Sequence, residues 1–352
     1  MEKTRVSEMT IYINNFPLCR EDEEIRSIIF KYARDNSEKH WKINLALFEV
    51  NNYKVSVIPR NLKILISKIQ NCPFTFDSFI NKHTYWQLFK LFADQAKIKN
   101  LYDYMTTSTD VGFNNSPVLM VHMISDQIRY CPICIYEDYN SCGESYIRRM
   151  HQFKLLDLCH IHHVGLISLC PSCGENLAES IKYQLIKPEC IHCGNYIKTT
   201  SNMLPNALSQ LTIQLLIDIN TLLTSKHDLN ADLLVQKMAA RLGKLNYIHY
   251  RGYIFKGKVL SDLMNIYPKD TLNYFNVKET LIKKINSAKF LLPNYVKVNM
   301  HLYLLLIRWL FGSSELLLEY DEGYALPLPF GHGPWDCPNK VCPHHGKGTI
   351  NN

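Results

Sequence analysis

Eight cysteines fall between residues 131 and 193, and most are paired two residues apart. The knuckles are Cys131-Pro-Ile-Cys134, Cys159-His-Ile-His162, Cys170-Pro-Ser-Cys173 and Cys190-Ile-His-Cys193. Zinc takes four thiolate or imidazole ligands in a tetrahedron, and a tight two-ligand knuckle supplies half of them locally. Four knuckles therefore predict two zinc sites. Sequential pairing gives Cys131, Cys134, Cys159 and His162 for the first, and Cys170, Cys173, Cys190 and Cys193 for the second. Interleaved pairing, as in cross-braced fingers, is the alternative. His160 and His163 are rival imidazoles beside His162. Cys142 and His192 have no slot and read as non-ligands, and His151 reads as a structural hydrogen-bonding residue. A late cluster, Cys337, Cys342 and His344 or His345, with His332 as a candidate fourth ligand, offers a third zinc site with less regular spacing.

The expected role of this zinc is structural. Each central site has four protein ligands, whereas hydrolytic zinc keeps an open position. The chain has no His-x-Glu partner for a deaminase-type Pro-Cys-x-x-Cys, no His-Glu-x-x-His, no phosphate-binding loop and no nucleophile elbow. An enzyme is not expected.

The elements holding these residues read as mainly α, with small zinc-ribbon β elements. Residues 1–125 form a helical N-terminal domain with a candidate helix-turn-helix. In EDEEIRSIIFKYARDN, the residues Ile25, Ile28, Ile29, Tyr32 and Ala33 line one helix face. Acids from Glu21 to Glu24 are expected in its first turn, where the helix dipole favours them. Further helices are predicted near 59–69, 75–81 and 85–98. Residues 126–200 are the tandem zinc block, with a helix or hairpin in the insert 135–158. Residues 201–326 form a helical C-terminal domain. Its helices include an apolar face from Leu208 to Leu223 and another from Leu233 to Leu242 that Gly243 should end. Residues 327–352 are the Cys/His tail.

The chain has 352 residues and a formal charge of +7, which permits nucleic-acid binding without requiring it. No apolar run approaches the roughly 18 residues that span a bilayer. The opening MEKTRVSEMTIYINN has no signal-peptide pattern. A cytoplasmic, nucleoid-associated location is expected, with no membrane partner, and thiols there serve metal binding more than disulfides. Candidate nucleic-acid contacts are Arg129, Arg148, Arg149 and Lys154 around the first zinc site. Arg251, Lys256 and Lys258 are further candidates, in a stretch where tyrosines alternate with basic residues, and such patterns bind nucleic acid by stacking and charge. Two short helices around Pro268 are another candidate helix-turn-helix.

CPIC at 131–134, GESYIRRMHQ at 143–152, CHIHHVGL at 159–166 and CPSCGENL at 170–177 follow one another as in the TniQ/TnsD family. These are target selectors of transposons of the Tn-seven type. FPLCREDEEIRSIIFKYA resembles the family's opening segment, and FGHGPWDCPNKVCPHH is similar to a motif of the longer TnsD-like members. The resemblance implies a non-catalytic adaptor that binds double-stranded DNA and marks the insertion site. It would recruit an AAA+ ATPase regulator, and through it the transposase. A CRISPR effector complex that supplies specificity, and a homodimer, are further partners it raises. Ile147 stands where an aromatic is common, and FKLLDLC replaces a more usual Pro-Gly turn. A zinc-ribbon transcriptional regulator or RNA-binding protein unrelated to transposition is the competing reading.

Overall fold

The computed structural model describes residues 12–50, 56–92, 95–106, 123–125, 127–178, 184–199, 204, 206–282, 299–323 and 334–350. Among these the architecture is helical, with short β bridges in the zinc block and one small sheet. The chain divides into two compact units, Met1–Leu229 and Asn230–Asn352.

In the first unit, α1 (Ile25–Asn36) buries Ile25, Ile28, Ile29, Phe30 and Ala33. It stops at Ser37, whose positive φ lets its backbone N–H close on the carbonyls of Ala33 and Arg34. The acids Asp22, Glu23 and Glu24 precede this helix, and no acid lies in its first turn. Their role is therefore different from the expected pairing with the dipole. Next come α2 (His40–Phe48), which periodicity did not reveal, and α3 (Leu62–Lys68). After these, α4 (Phe76–His83) is capped by the Thr75 hydroxyl, which accepts from the Ser78 N–H at 3.1 Å. The predicted helix over 85–98 resolves into α5 (Trp86–Phe92) and α6 (Gln95–Thr106).

In the zinc block, α7 (Pro132–Cys142) begins inside the first knuckle and ends at Gly143, φ 73°. A single 3-10 turn follows at Arg149–His151. The long α8 (Asn206–Thr224) packs on α4 and α5 and lies in the first unit, not in the C-terminal domain where it was expected. Its face of Leu215, Leu216, Ile219, Leu222 and Leu223 is buried against the N-terminal helices of the first unit.

The second unit contains α9 (Ala231–Lys244), α10 (Lys256–Ile266), α11 (Lys269–Tyr274), α12 (Glu279–Ile282), α13 (Met300–Phe311) and α14 (Ser314–Glu319). Asn230, Asn299 and Ser313 cap α9, α13 and α14 with side-chain acceptors. Gly243 does not end α9, which runs one residue further to Lys244. The apolar α13 is the core element, packed against α9 and α14. Strands β1 (Trp335–Asp336) and β2 (Gly348–Ile350) pair antiparallel in the tail. No helix among the described residues is long and apolar enough to cross a membrane.

Candidate metal centre

Three of the four knuckles share one backbone design. The N–H of the residue after the second ligand bonds back to the carbonyl of the first: His163 to Cys159 at 2.9 Å, Gly174 to Cys170 at 2.9 Å and Gly194 to Cys190 at 2.8 Å. That closing residue has positive φ in each case, 57°, 76° and 72°. Glycine adopts this conformation without cost, which accounts for two of the three positions. The reversed chain then aims backbone N–H groups at sulfur. Ser172 N–H reaches Cys170 Sγ at 3.4 Å, His192 N–H reaches Cys190 Sγ at 3.4 Å and His162 N–H reaches Cys159 Sγ at 3.5 Å. The fourth knuckle is built differently. Cys131 is the N-cap of α7, Pro132 occupies the first helical position, and Cys134 returns on the first turn.

These knuckles assemble sequentially into two clusters. In the first, Cys131, Cys134, Cys159 and His162 place their donor atoms within 4.8 Å of one another. His162 Nδ1 lies 3.4 Å from Cys131 Sγ, 3.3 Å from Cys134 Sγ and 3.7 Å from Cys159 Sγ. The outer nitrogen of that ring, Nε2, lies 3.0 Å from Glu137 Oε2, a carboxylate–imidazole pairing that fixes a ligating tautomer. In the second, Cys170, Cys173, Cys190 and Cys193 converge, with Sγ–Sγ distances of 3.8 Å for Cys170–Cys193 and 3.7 Å for Cys173–Cys190. Both clusters fit zinc. The first offers three thiolates and an imidazole, and the second is all thiolate.

The thiols compete with one another for ionisation. Three sulfurs of the first cluster cannot all ionise side by side. Hydrogen bonds from Cys131 and Cys134 hold the Cys159 thiol down, while its two neighbours push Cys134 up. In the second cluster, burial raises Cys170, but the backbone N–H groups of Cys173 and Ser172 outweigh it and leave that thiol at about 6. Sharing of the ionised state leaves Cys173 raised to about 12. A bound divalent cation would remove this conflict, since metal binding displaces the thiol protons.

The clusters differ in surroundings. Cys131, Cys134 and Cys159 are core residues, packed with Ile133, Val164 and Leu166. In the second cluster Cys173 and Cys193 are exposed, while Cys170 and Cys190 are buried.

The basic residues predicted to touch DNA near the first cluster have other partners. Arg148 forms a two-pronged pair with Asp138, at 2.5 and 2.8 Å, and stacks over Tyr146. Arg149 is buried, with Nη1 donating to the carbonyls of Asn81 and Thr84 at 2.9 Å and Nε to Asp22 at 3.2 Å. Arg129 pairs with Asp157 at 2.5 Å and donates to the Phe153 carbonyl. Lys154 is half-buried, and its backbone N–H donates to the Met123 carbonyl at 2.8 Å. Arg129, Arg148 and Arg149 are corrected from DNA contacts to structural ones. Desolvating a guanidinium is costly unless internal acceptors replace water, and here they do.

The signature segment 143–152 is thus one half of a buried polar clasp. The other half is the acidic run before α1. Glu23 and Glu24 are both 0% exposed. Glu23 accepts from Lys31 Nζ at 2.9 Å, Ser27 Oγ at 2.6 Å and the Arg20 N–H at 2.9 Å. Glu24 pairs with Arg26 and accepts from the Tyr85 hydroxyl at 2.6 Å. Backbone bonds join the halves: Glu24 N–H to the Ile147 carbonyl at 2.8 Å and Arg149 N–H to the Asp22 carbonyl at 2.9 Å. Sequence reasoning missed this pairing, because acids and arginines more than a hundred residues apart carry no local pattern.

The tail differs from expectation. Among the described residues, Cys337, Cys342, His344 and His345 do not bring three donors within 4.8 Å of one another. The Gly346 N–H closes on the Cys337 carbonyl at 3.1 Å. His332 lies outside the described residues. The third group of converging donors is instead His151, Cys159 and His160.

In the second unit, Arg251, Lys256 and Lys258 sit around a tight turn closed by the bridge Ile248–Ile254. The exposed Arg251 lies 5.5 Å from the Tyr250 ring centroid, and Lys258 Nζ lies 4.4 Å from that of Tyr247. Tyr253 stacks on His249 with centroids 4.3 Å apart. Lys256 is exposed at the start of α10.

Two family models match the chain. TniQ matches residues 16–166, which contain the clasp and the first metal cluster. Tn7-like transposition protein D (TnsD) matches residues 216–352, which contain the second unit. No curated protein matches.

Proposed function

We propose that this chain, which belongs to the TniQ/TnsD family of Tn7-like transposition proteins, is a DNA-binding target-selection adaptor without catalytic activity of its own. The tandem presence of both family regions on one chain carries this reading. The first unit, with its core metal cluster and clasp, is suited to docking other transposition proteins. We assign it the recruitment of an AAA+ ATPase regulator, which would bring the transposase. The four-donor metal clusters support a scaffolding role for zinc, since each offers a full tetrahedral shell.

We assign double-stranded DNA contact to the second unit. The exposed Lys256, with Arg251 and Lys258 beside tyrosines 247, 250 and 253, is suited to phosphate neutralisation and stacking. The TnsD match over this region supports DNA recognition by the chain itself, in preference to specificity supplied by a CRISPR effector complex. A cytoplasmic, nucleoid-associated site of action and self-association as a homodimer belong to the same proposal.

The test is a transposition assay with the ATPase and transposase genes from the same element. Deleting this chain should abolish insertion at the preferred site, and the purified protein should capture the ATPase on target DNA. Unchanged insertion-site choice without the chain would sink the adaptor reading. Targeting that depends on a guide RNA would move specificity to an effector complex.

A further inference from the structure

In the second unit, the turn between Ile248 and Ile254 carries exposed aromatic rings on a buried stem. Ile248 and Ile254 form the antiparallel bridge and are both buried. Gly252, with φ 85°, closes the tip by donating its N–H to the His249 carbonyl at 2.7 Å. The His249 N–H donates in turn to the Tyr253 carbonyl at 2.9 Å. Backbone bonds therefore shape the tip, and none of them involves the Tyr253 side chain.

Three rings at the tip form a column. The Tyr250 centroid lies 4.1 Å from that of His249, and Tyr253 stacks on the same imidazole at 4.3 Å, with 14° between the planes. One face of an imidazole has no room for two phenol rings at these distances, so the tyrosines take opposite faces. Phe255 meets His249 and Tyr253 edge-on at 5.7 and 6.0 Å, and so flanks the column without capping it. The Arg251 guanidinium lies over Tyr250. Tyr253, 44% exposed, is then the open end of the column. Around it Arg251, Lys256 and Lys258 are exposed and form no ion pair among the described residues. They differ in this from Arg129, Arg148 and Arg149, whose charge is spent on internal partners.

An open ring face beside available cations suits a nucleobase with its flanking phosphates. An intact duplex, however, presents only base edges in its grooves. The faces are covered by the neighbouring bases, so an aromatic ring can stack only where a base is unpaired or displaced. We propose that the second unit selects duplex DNA that carries unpaired bases over fully paired duplex. A base stacks on the outer face of Tyr253, while Arg251, Lys256 and Lys258 hold the adjacent phosphates. This rests on the DNA contact assigned to the second unit, and it names the form of DNA which that surface selects.

Anisotropy titrations of the full-length protein test the proposal with two probes, a fully paired duplex and the same duplex with a short central bubble of mismatched bases. The bubble probe should bind about tenfold more tightly, as stacking of one base allows. Tyr253→Ala should erase that preference by weakening the bubble complex alone. Tyr253→Phe should keep the preference, because the ring face remains, and Tyr253→Leu should lose it, because bulk remains without a π face. Circular dichroism verifies that each variant is folded, and the parent protein's preference between the probes stands independently of any variant. Equal affinity of the parent for the two probes would overturn the proposal and leave DNA contact by the second unit standing. A preference that survives in Tyr253→Ala, or equal weakening of both probes there, would also overturn it. Absence of binding to either probe at low salt would remove the DNA contact itself, and the proposal with it.

Discussion

Arg149 shows how a residue that looks like a phosphate contact serves the fold. Its guanidinium satisfies two backbone carbonyls and the half-buried Asp22. Removing it leaves that carboxylate and those carbonyls without a donor. Arg149→Ala should therefore lower the stability of the first unit by roughly 3–5 kcal/mol in urea unfolding. A loss under about 1 kcal/mol would show that the clasp is not structural. His83 gives a pH signature in the same place. Burial is the main cause of its lowering to about 4, although its Nδ1 contacts the Glu23 carbonyl at 2.8 Å. In the unfolded chain it titrates near 6.5. Between those values the unfolded state binds the proton and the folded state does not. Stability is thus complete above pH 6.5 and falls as pH drops toward 4, by roughly 3 kcal/mol in all. His83→Asn should flatten that slope in a pH series of unfolding midpoints, relative to the parent protein measured with the same zinc loading.

Among the elements, the knuckles and α1 divide the zinc block into a core part and an outlying part. The first knuckle starts α7, and its cysteines are packed among core residues. The all-cysteine cluster has two exposed cysteines, Cys173 and Cys193. Cys131→Ser should therefore remove one zinc and abolish cooperative melting of the first unit. Cys173→Ser should also remove one zinc, yet leave that transition within a few degrees of the parent. Equal loss of folding in the two variants, read by calorimetry and metal analysis, would contradict this ranking. The same contrast explains what was legible. Knuckle spacing is local, so Cys131 to Cys193 could be allocated from sequence. The acids before α1 could not, because Glu23 and Glu24 resemble an ordinary exposed helix start until Ile147 and Arg149 are folded against them. Likewise α8 has the apolar stripe of any amphipathic helix, and periodicity does not say which helices it covers.

For the whole molecule, the two units coincide broadly with two family regions, TniQ and TnsD, and invite a division of labour between docking and DNA contact. If the second unit touches DNA, Arg251→Glu with Lys256→Glu should weaken duplex binding and reduce the salt slope of log affinity by about two. Both side chains are exposed, so the fold should survive, as circular dichroism would verify. Anisotropy titrations from low to moderate salt measure the slope, and an unchanged slope would move the DNA contact elsewhere.

The sequence by itself determined the helical class, the two zinc donor sets and the order of motifs that resembles the transposition family. Those features are written in short spacings: 3.6-residue periodicity, two-residue knuckles and turn glycines. Only the tertiary structure decided the rest. Arg129, Arg148 and Arg149 became internal partners, the tail donors stayed apart, and His151 arrived beside a metal cluster. Each of these outcomes depends on which distant groups share a desolvated space, and a buried charge or imidazole is defined by those neighbours and not by its place in the chain.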